Sequence, residues 1–275
     1  MKEKLKKSQI RLIVLLIIVA VIVFLSLIAE YIVPNDPNIT NIKTTKLAPD
    51  SQFWFGTDAM GRCVFSRTMV GAKTSIFASF ALVIVTFVFG TTIGVLAGYY
   101  GGKVDTLLMR IVDILLAFPG LVLAIAVAGI LGGGLINAML ALGLTAWTQY
   151  ARLARSQVLA LKEKVFIQAA KLSGNSNYKI MTRHLLPNIL GPLVVNATLQ
   201  ISTMMMGIAG LSFLGLGVQP PAAEWGSMIN EGRSLLQLAP WIIMFPGLVM
   251  IITIMVFNLL GDTVRDVMDM KGDVE

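Results

Sequence analysis

The chain has 275 residues, of which 56% are hydrophobic and only 13% charged, and its mean hydropathy is +0.80. This places it outside soluble globular domains, which carry about 25% charged residues. One cysteine, Cys63, excludes an intrachain disulfide framework, and with one histidine no Ser-His-Asp triad, zinc site or intramembrane carboxylate dyad presents itself, so no catalytic centre is expected.

Six segments carry the roughly 20 mostly apolar residues that a membrane span needs: about 10–33, 76–99, 111–131, 135–153, 188–211 and 241–260. The chain therefore reads as an all-α, polytopic membrane protein. With an inner N-terminus, 16 of the 22 basic residues lie on inner segments, as the positive-inside rule requires. The acidic residues divide so that the whole net charge of +7 is on the inner, cytoplasmic side. Topology and anionic membrane lipid account for this balance, and nucleic acid is not implied.

The lysine-rich opening, MKEKLKKSQIR, is a topology anchor for the first span. That span exceeds the h-region of a signal peptide and no small-residue cleavage site closes it, so it is expected to be retained. After residue 33, PNDPN breaks the helix and opens an outer loop to about residue 70. Asp58, Arg62 and Arg67 supply paired charges there, and Cys63 is expected to be a free outer thiol. The second span carries Gly90, Gly94 and Gly98, a small-residue face on which another helix can pack closely. Gly101, Gly102 and Lys103 look superficially like a phosphate loop, but Ala97 and Val104 occupy places where a Walker motif needs Gly and Ser or Thr. Arg110 and Asp113, one turn apart, are expected to anchor the third span at its inner edge, and Pro119 and Gly120 to kink it.

The fourth span leads into a polar helix with Trp147 and Tyr150 at the interface and Arg152 and Arg155 inside. Next comes QAAKLSGNSNYKIMTRHLLP, residues 168–187, a polar interruption between long apolar runs. Ala169, Ala170 and Leu172 give a short helix a smooth face. Gly174 offers a free turn, and Asn175, Ser176 and Asn177 favour a turn or a fresh N-cap. A second short helix is expected over 178–185, with Pro187 in the first turn of the next span. In that span Asn196 and Gln200 either line a polar path or bond to another helix, while Met204, Met205 and Met206 point in different directions and serve packing. Residues 210–240 suggest an outer cap or re-entrant segment.

Several of these motifs resemble the permease subunits of binding-protein-dependent ABC importers. Gln168, Ala169, Ala170, Gly174, His184, Leu186 and Pro187 lie in register with that family's cytoplasmic loop, with Gln168 in place of its glutamate and His184 in place of its isoleucine. Matches in residues 55–75, Leu211 to Gly217, Gln219 to Pro221, Trp225, Gly226 and the last span extend the resemblance over most of 53–269. They point to the dipeptide, oligopeptide and nickel branch, and AEWGSMIN and WTQYARLARS lean towards nickel-type members. The resemblance implies a type I importer permease fold, with residues 1–70 an N-terminal helix and outer loop, 71–262 a transmembrane domain with its coupling loop at 160–187, and 263–275 a cytoplasmic tail. It implies a second homologous permease, two ABC ATPase subunits that bind ATP and Mg, and an extracytoplasmic substrate-binding protein. Catalytic, cofactor and metal residues are expected to be absent from this chain. The rival reading is a passive channel or stand-alone carrier, which would call for an intramembrane ionisable relay or paired broken helices in two repeats.

Overall fold

The computed structural model describes the backbone of residues 2–272 and the side chains of residues 7–268. Met1 of the basic anchor and residues 273–275 of the tail lie outside the described residues. The helices are α1 (Lys2–Ile32), α2 (Val64–Tyr100), α3 (Gly102–Leu116), α4 (Gly120–Leu131), α5 (Leu135–Lys162), α6 (Val165–Leu172), α7 (Asn177–Lys179), α8 (Leu186–Phe213), α9 (Trp225–Gly232) and α10 (Trp241–Gly272). A π-helical segment, Ile180–Leu185, joins α7 to α8.

Four helical stretches are long and apolar enough to cross a membrane: Lys7–Ile32, Val64–Tyr100, Asn177–Phe213 and Trp241–Met268. The α3–α4 pair adds a fifth if it counts as one span, bent by 85° at a short break. That break falls at Pro119, where a kink was expected, because proline has no N–H to continue the ladder of α3. The expected fourth span is the first two thirds of α5, whose later Gln149, Arg152 and Arg155 dilute its apolar half.

The arrangement follows from how α2 meets α5. A Cβ at Gly90 would collide with the Trp147 carbonyl, one at Gly94 with the Ala151 carbonyl, and one at Gly98 would lie 2.9 Å from Val158 Cβ. The partners rise in number together, so the two helices run parallel with their backbones in contact. A chain that leaves α2 at one side of the bundle must then return before α5 can start, and α3–α4 is the only segment between them. In contrast, α8 and α10 are antiparallel: Ser202 Oγ donates to the Ile254 carbonyl at 3.2 Å, and a Cβ at Gly191 would meet Met268. The main core joins Ala124 and Ala128 of α4 to Ala138 and Ala141 of α5, Ile208 and Leu211 of α8, and Phe257 of α10. Small residues suit a lipid solvent, where helices associate by close packing more than by removal of apolar surface from water.

The end of the bundle that carries the loop after α1 is tied together by charge. Arg62 Nε contacts Asp58 Oδ2 at 2.6 Å and its Nη2 bonds Glu231, while Arg67 lies 3.6 Å from Asp58 and 3.7 Å from Glu231. This pairs Asp58 with Arg62 as the sequence suggests, and adds Glu231 from α9. Glu224 is fully buried yet satisfied, accepting from the N–H groups of Gly226 and Ser227 and from Ser75 Oγ. The Cys63 thiol is free, but it is only 2% exposed. The turn that pairs Thr57 with Cys63 folds it inward, which corrects the expectation of an accessible outer thiol.

The α2–α5 contact leaves no room for a side chain, so Gly94→Ala is expected to destabilise the purified protein by about 1–3 kcal/mol through overpacking. Gly129→Ala, where a Cβ meets nothing within 4 Å, should be neutral. Thermal unfolding in detergent compares the two, and equal midpoints would contradict the packing described.

Candidate coupling surface

The polar interruption folds back on the end of α5. Ile167 and Ala170, three residues apart on α6, turn the same face inward. They join Tyr150, Ala154 and Val158 of α5, Ile180 and Leu185 of the π segment, Ile189 and Leu193 of α8, and Val95 and Tyr99 of α2 in one apolar cluster. Gly174 ends α6 with φ +76°. Its N–H donates to Lys171 and the Asn175 N–H to Ala170, the double bond pattern of a helix C-terminus whose left-handed residue is glycine. Ser176 then caps α7 through Lys179 N. Tyr99 Oη donates to Asn177 Oδ1 at 2.8 Å and Lys171 lies over the Tyr99 ring, so the end of α2 holds both sides of the turn.

The second short helix expected over 178–185 is not separate. Residues 177–213 form one continuous helix, widened where the Leu186 N–H reaches back five residues to Met181. Pro187, in the first turn of α8 as expected, supplies no N–H, and a widened turn accommodates a proline better than a regular ladder. The side chain of Asn188 donates to the His184 carbonyl at 2.6 Å.

Of the seven residues singled out in the sequence, Gln168, Ala169, Gly174 and Pro187 are exposed, and His184 and Leu186 half-buried. Gln168 Nε2 donates to the Glu163 carbonyl at 3.3 Å. Ala170 is only 7% exposed and belongs to the inner cluster. It seats α6 on its own chain and presents little surface outward. The outward face is made instead by Val165, Phe166, Leu172, which is 90% exposed, and Tyr178. Lys164, Lys171, Lys179 and Arg183 of the same segments are exposed as well. Sequence reasoning passed over Val165 and Phe166 and put Leu172 on one face with Ala170, which the structure splits, because an outward apolar side chain on a short helix looks the same as an inward one.

Two ion pairs tie α5 to α3. Arg155 grips Asp105 through Nε at 2.5 Å and Nη2 at 2.6 Å, and Arg152 meets Asp113 at 2.6 Å. The hydrogen bonds to Asp105 raise the pKa of the Arg155 guanidinium above its ordinary value. Asp113 was expected to pair with Arg110 on its own helix. It pairs across to α5, because residue 113 faces α5 on the same side of α3 as the buried Val112 and its partners Trp147 and Ala151. Further into the bundle, Gln200 donates to Gln149, and Asn196 lines a cavity of about 430 Å³ with Pro192, Leu199 and Arg265. Gln200 thus makes the interhelical bond, while Asn196 borders the cavity with its Oδ1 buried and without a hydrogen-bond partner among the described residues.

Ala170→Asp is expected to place a carboxylate in the inner cluster at a cost of several kcal/mol, lowering the thermal midpoint of the whole protein. Gly174→Val should cost about 1–2 kcal/mol, through the left-handed backbone alone, and expose the turn to proteolysis near residue 174. Limited digestion with mass spectrometry checks both, and wild-type digestion of the valine variant would argue against the φ-dependent turn.

Residues 90–271 match the family described as binding-protein-dependent transport system inner membrane component. The chain is 41% identical over 269 residues to the dipeptide transport system permease protein DppC of Alkalihalophilus pseudofirmus, covering 98% of this chain and 88% of that one. It is 40% identical over 254 residues to the nickel transport system permease protein NikC of Escherichia coli, covering 92% of each. To the glutathione transport system permease protein GsiD of Pectobacterium atrosepticum it is 42% identical over 244 residues, covering 88% and 81%. Among solved structures, a chain of the MetNI methionine ABC transporter in an inward-facing conformation superposes with a TM-score of 0.53 at 21% identity, over 70% of this chain and 94% of that one, which shows a shared fold. The family is one of transport permeases, in agreement with the several apolar helices described above. This chain belongs to the binding-protein-dependent transport system inner membrane components, with the all-α permease fold of type I ABC importers.

Proposed function

We propose that this chain is one of two homologous permease subunits of an ATP-driven importer, and that an extracytoplasmic binding protein delivers its substrate. Two partner ATPase subunits hold ATP and Mg. The substrate is a short peptide or nickel, free or chelated, since the named cargoes of the relatives are dipeptide, nickel and glutathione. Both chain termini and residues 155–185 lie in the cytoplasm and residues 35–70 outside, an orientation supported by the basic residues on inner segments.

The observation that carries this reading is the outward patch of α6 and α7. Val165, Phe166, Leu172 and Tyr178 are exposed at the end of a helix that leaves the membrane domain. Exposed apolar side chains beside exposed charged ones are the anatomy of a protein interface. The inner face of the same element packs on α5, α8 and α2, so a partner that moves the patch moves three long helices. In this mechanism nucleotide binding draws the ATPases together, the coupling element follows, and the pathway between the permeases opens alternately to each side. This chain contributes no catalytic residue to that cycle. Gln168, Ala169, Gly174, His184, Leu186 and Pro187 shape the element, and Ala170 anchors it.

Leu172→Asp is expected to leave the fold intact, because the side chain is exposed, while reducing ATPase co-purification and transport at least about tenfold, equivalent to ~1.4 kcal/mol of docking. Transport is measured in vesicles with the cognate binding protein, comparing radiolabelled nickel, chelated nickel, and di- and oligopeptides. Uptake that persists without any ATPase would favour the passive channel or stand-alone carrier.

A further inference from the structure

Resting on the coupling role just proposed, we propose that Arg155, assisted by Arg152, is a positioning residue that makes α3, the first half of the broken span α3–α4, follow the coupling element. Three observations converge on it. First, α5 serves both sides: Ala154 and Val158 pack into the cluster that holds Ile167 and Ala170 of α6, while Arg152 and Arg155, within the same turns, reach α3. A single helix of this length is stiff enough to carry displacement from one side to the other.

Second, α3 has little else to hold it. Val112 is its only buried residue, with Met109 and Leu115 packed alongside. The inner end of α3 is held by the two-pronged Arg155–Asp105 bond, a fork that fixes orientation as well as distance. Asp113–Arg152 adds a second attachment two turns on, although this pair is more than half exposed and weak by itself.

Third, α3 ends at a hinge. Across Ala117 to Pro119 the helical ladder is interrupted: Ala117 N–H still reaches back to Asp113 and Ile114, and Leu123 N–H to Pro119, but among the described residues no backbone N–H donates to the carbonyls of Leu115, Leu116, Ala117 or Phe118. Beyond the break, α4 is fixed. Ala124 and Ala128 pack in the main core, and Asn137 Nδ2 donates to the carbonyls of Leu131 and Gly132 at its far end. The hinge lies level with Thr145, whose Oγ1 would be 3.5 Å from a Cβ at Gly120. Thr145 is close to the middle of the expected span 135–153, so the yielding point is at mid-membrane. Short breaks that absorb rotation between a held and a driven segment are a common device of transport cycles. Here α4 is held, α3 is driven, and the Arg155 fork does the driving.

The test uses the assembled transporter in vesicles, measuring ATP hydrolysis and substrate uptake together. Arg155→Gln is expected to assemble normally and hydrolyse ATP within about twofold of wild type, while uptake falls at least tenfold, so that more ATP is consumed per substrate. Reversing the pair, Asp105→Arg with Arg155→Asp, should recover at least a third of the lost uptake. Arg155→Lys, which keeps the charge but not the fork, should fall between glutamine and wild type. Wild-type ATP use per substrate in Arg155→Gln overturns the proposal, as does a loss of uptake matched by loss of assembled complex. A lysine variant no better than glutamine together with a reversal that recovers nothing would also overturn it. Failure of the coupling role itself is a separate result, since it would appear as Leu172→Asp complexes that assemble and transport normally.

Discussion

The backbone contact between α2 and α5 is the constraint on which the rest of the structure depends. Within lipid, two apolar helices gain little by hiding from water, so their association rests on how closely they approach. Gly90, Gly94 and Gly98 remove the side chains that would hold α5 away from α2. The contact is parallel, and a parallel pair obliges the intervening chain to cross back. α3 and α4 make that return as two short helices meeting at 85°. The same contact brings the ends of α2 and α5 together at one side of the bundle. There Tyr99, Tyr150 and Val158 offer an apolar seat on which α6 lands.

Polar chemistry is sorted around this frame by what the membrane permits. At one end of the bundle Asp58, Arg62, Arg67 and Glu231 neutralise one another in a network that joins the loop after α1 to α2 and α9. Charges withdrawn from water in this way are tolerable only when paired. At the opposite end the pairs of Asp105 with Arg155 and Asp113 with Arg152 are more exposed, and they join one rigid helix to one weakly packed helix. Between these layers, Gln149 bonded to Gln200 is neutral.

The parts legible in the sequence are those set by local backbone chemistry. Glycine at spacing four announced a close helix contact, Pro119 a break, and Gly174 a turn with positive φ, and each follows from what one residue can or cannot do. The choice among equally plausible partners was not legible. Asp113 had Arg110 one turn away and pairs instead with Arg152, because the orientation of α3 on α5 is a tertiary outcome. Ala170 and Leu172 lie two residues apart in the same short helix. Only the packing of Ile167 decides that the first is buried and the second exposed. The burial of Cys63 depends on a turn between Thr57 and Cys63, and the merging of residues 178–185 into α8 depends on a widened turn before Pro187. Nothing local in the sequence marks Glu224, whose carboxylate caps α9 and accepts a bond from Ser75 across 149 positions of sequence.

The central claim, that the outward patch of α6 is where force enters this chain, is tested most directly by site-specific cross-linking in the assembled transporter. A short photo-activated group is attached to a cysteine introduced at Leu172 or, for comparison, at the exposed Ser51 of the opposite end, in a chain whose Cys63 is replaced by serine. The account predicts that position 172 joins an ATPase subunit in high yield and that the yield changes with bound nucleotide, while position 51 never does. Position 172 labelled only by lipid or water in intact complexes, or position 51 joined to an ATPase, would contradict it.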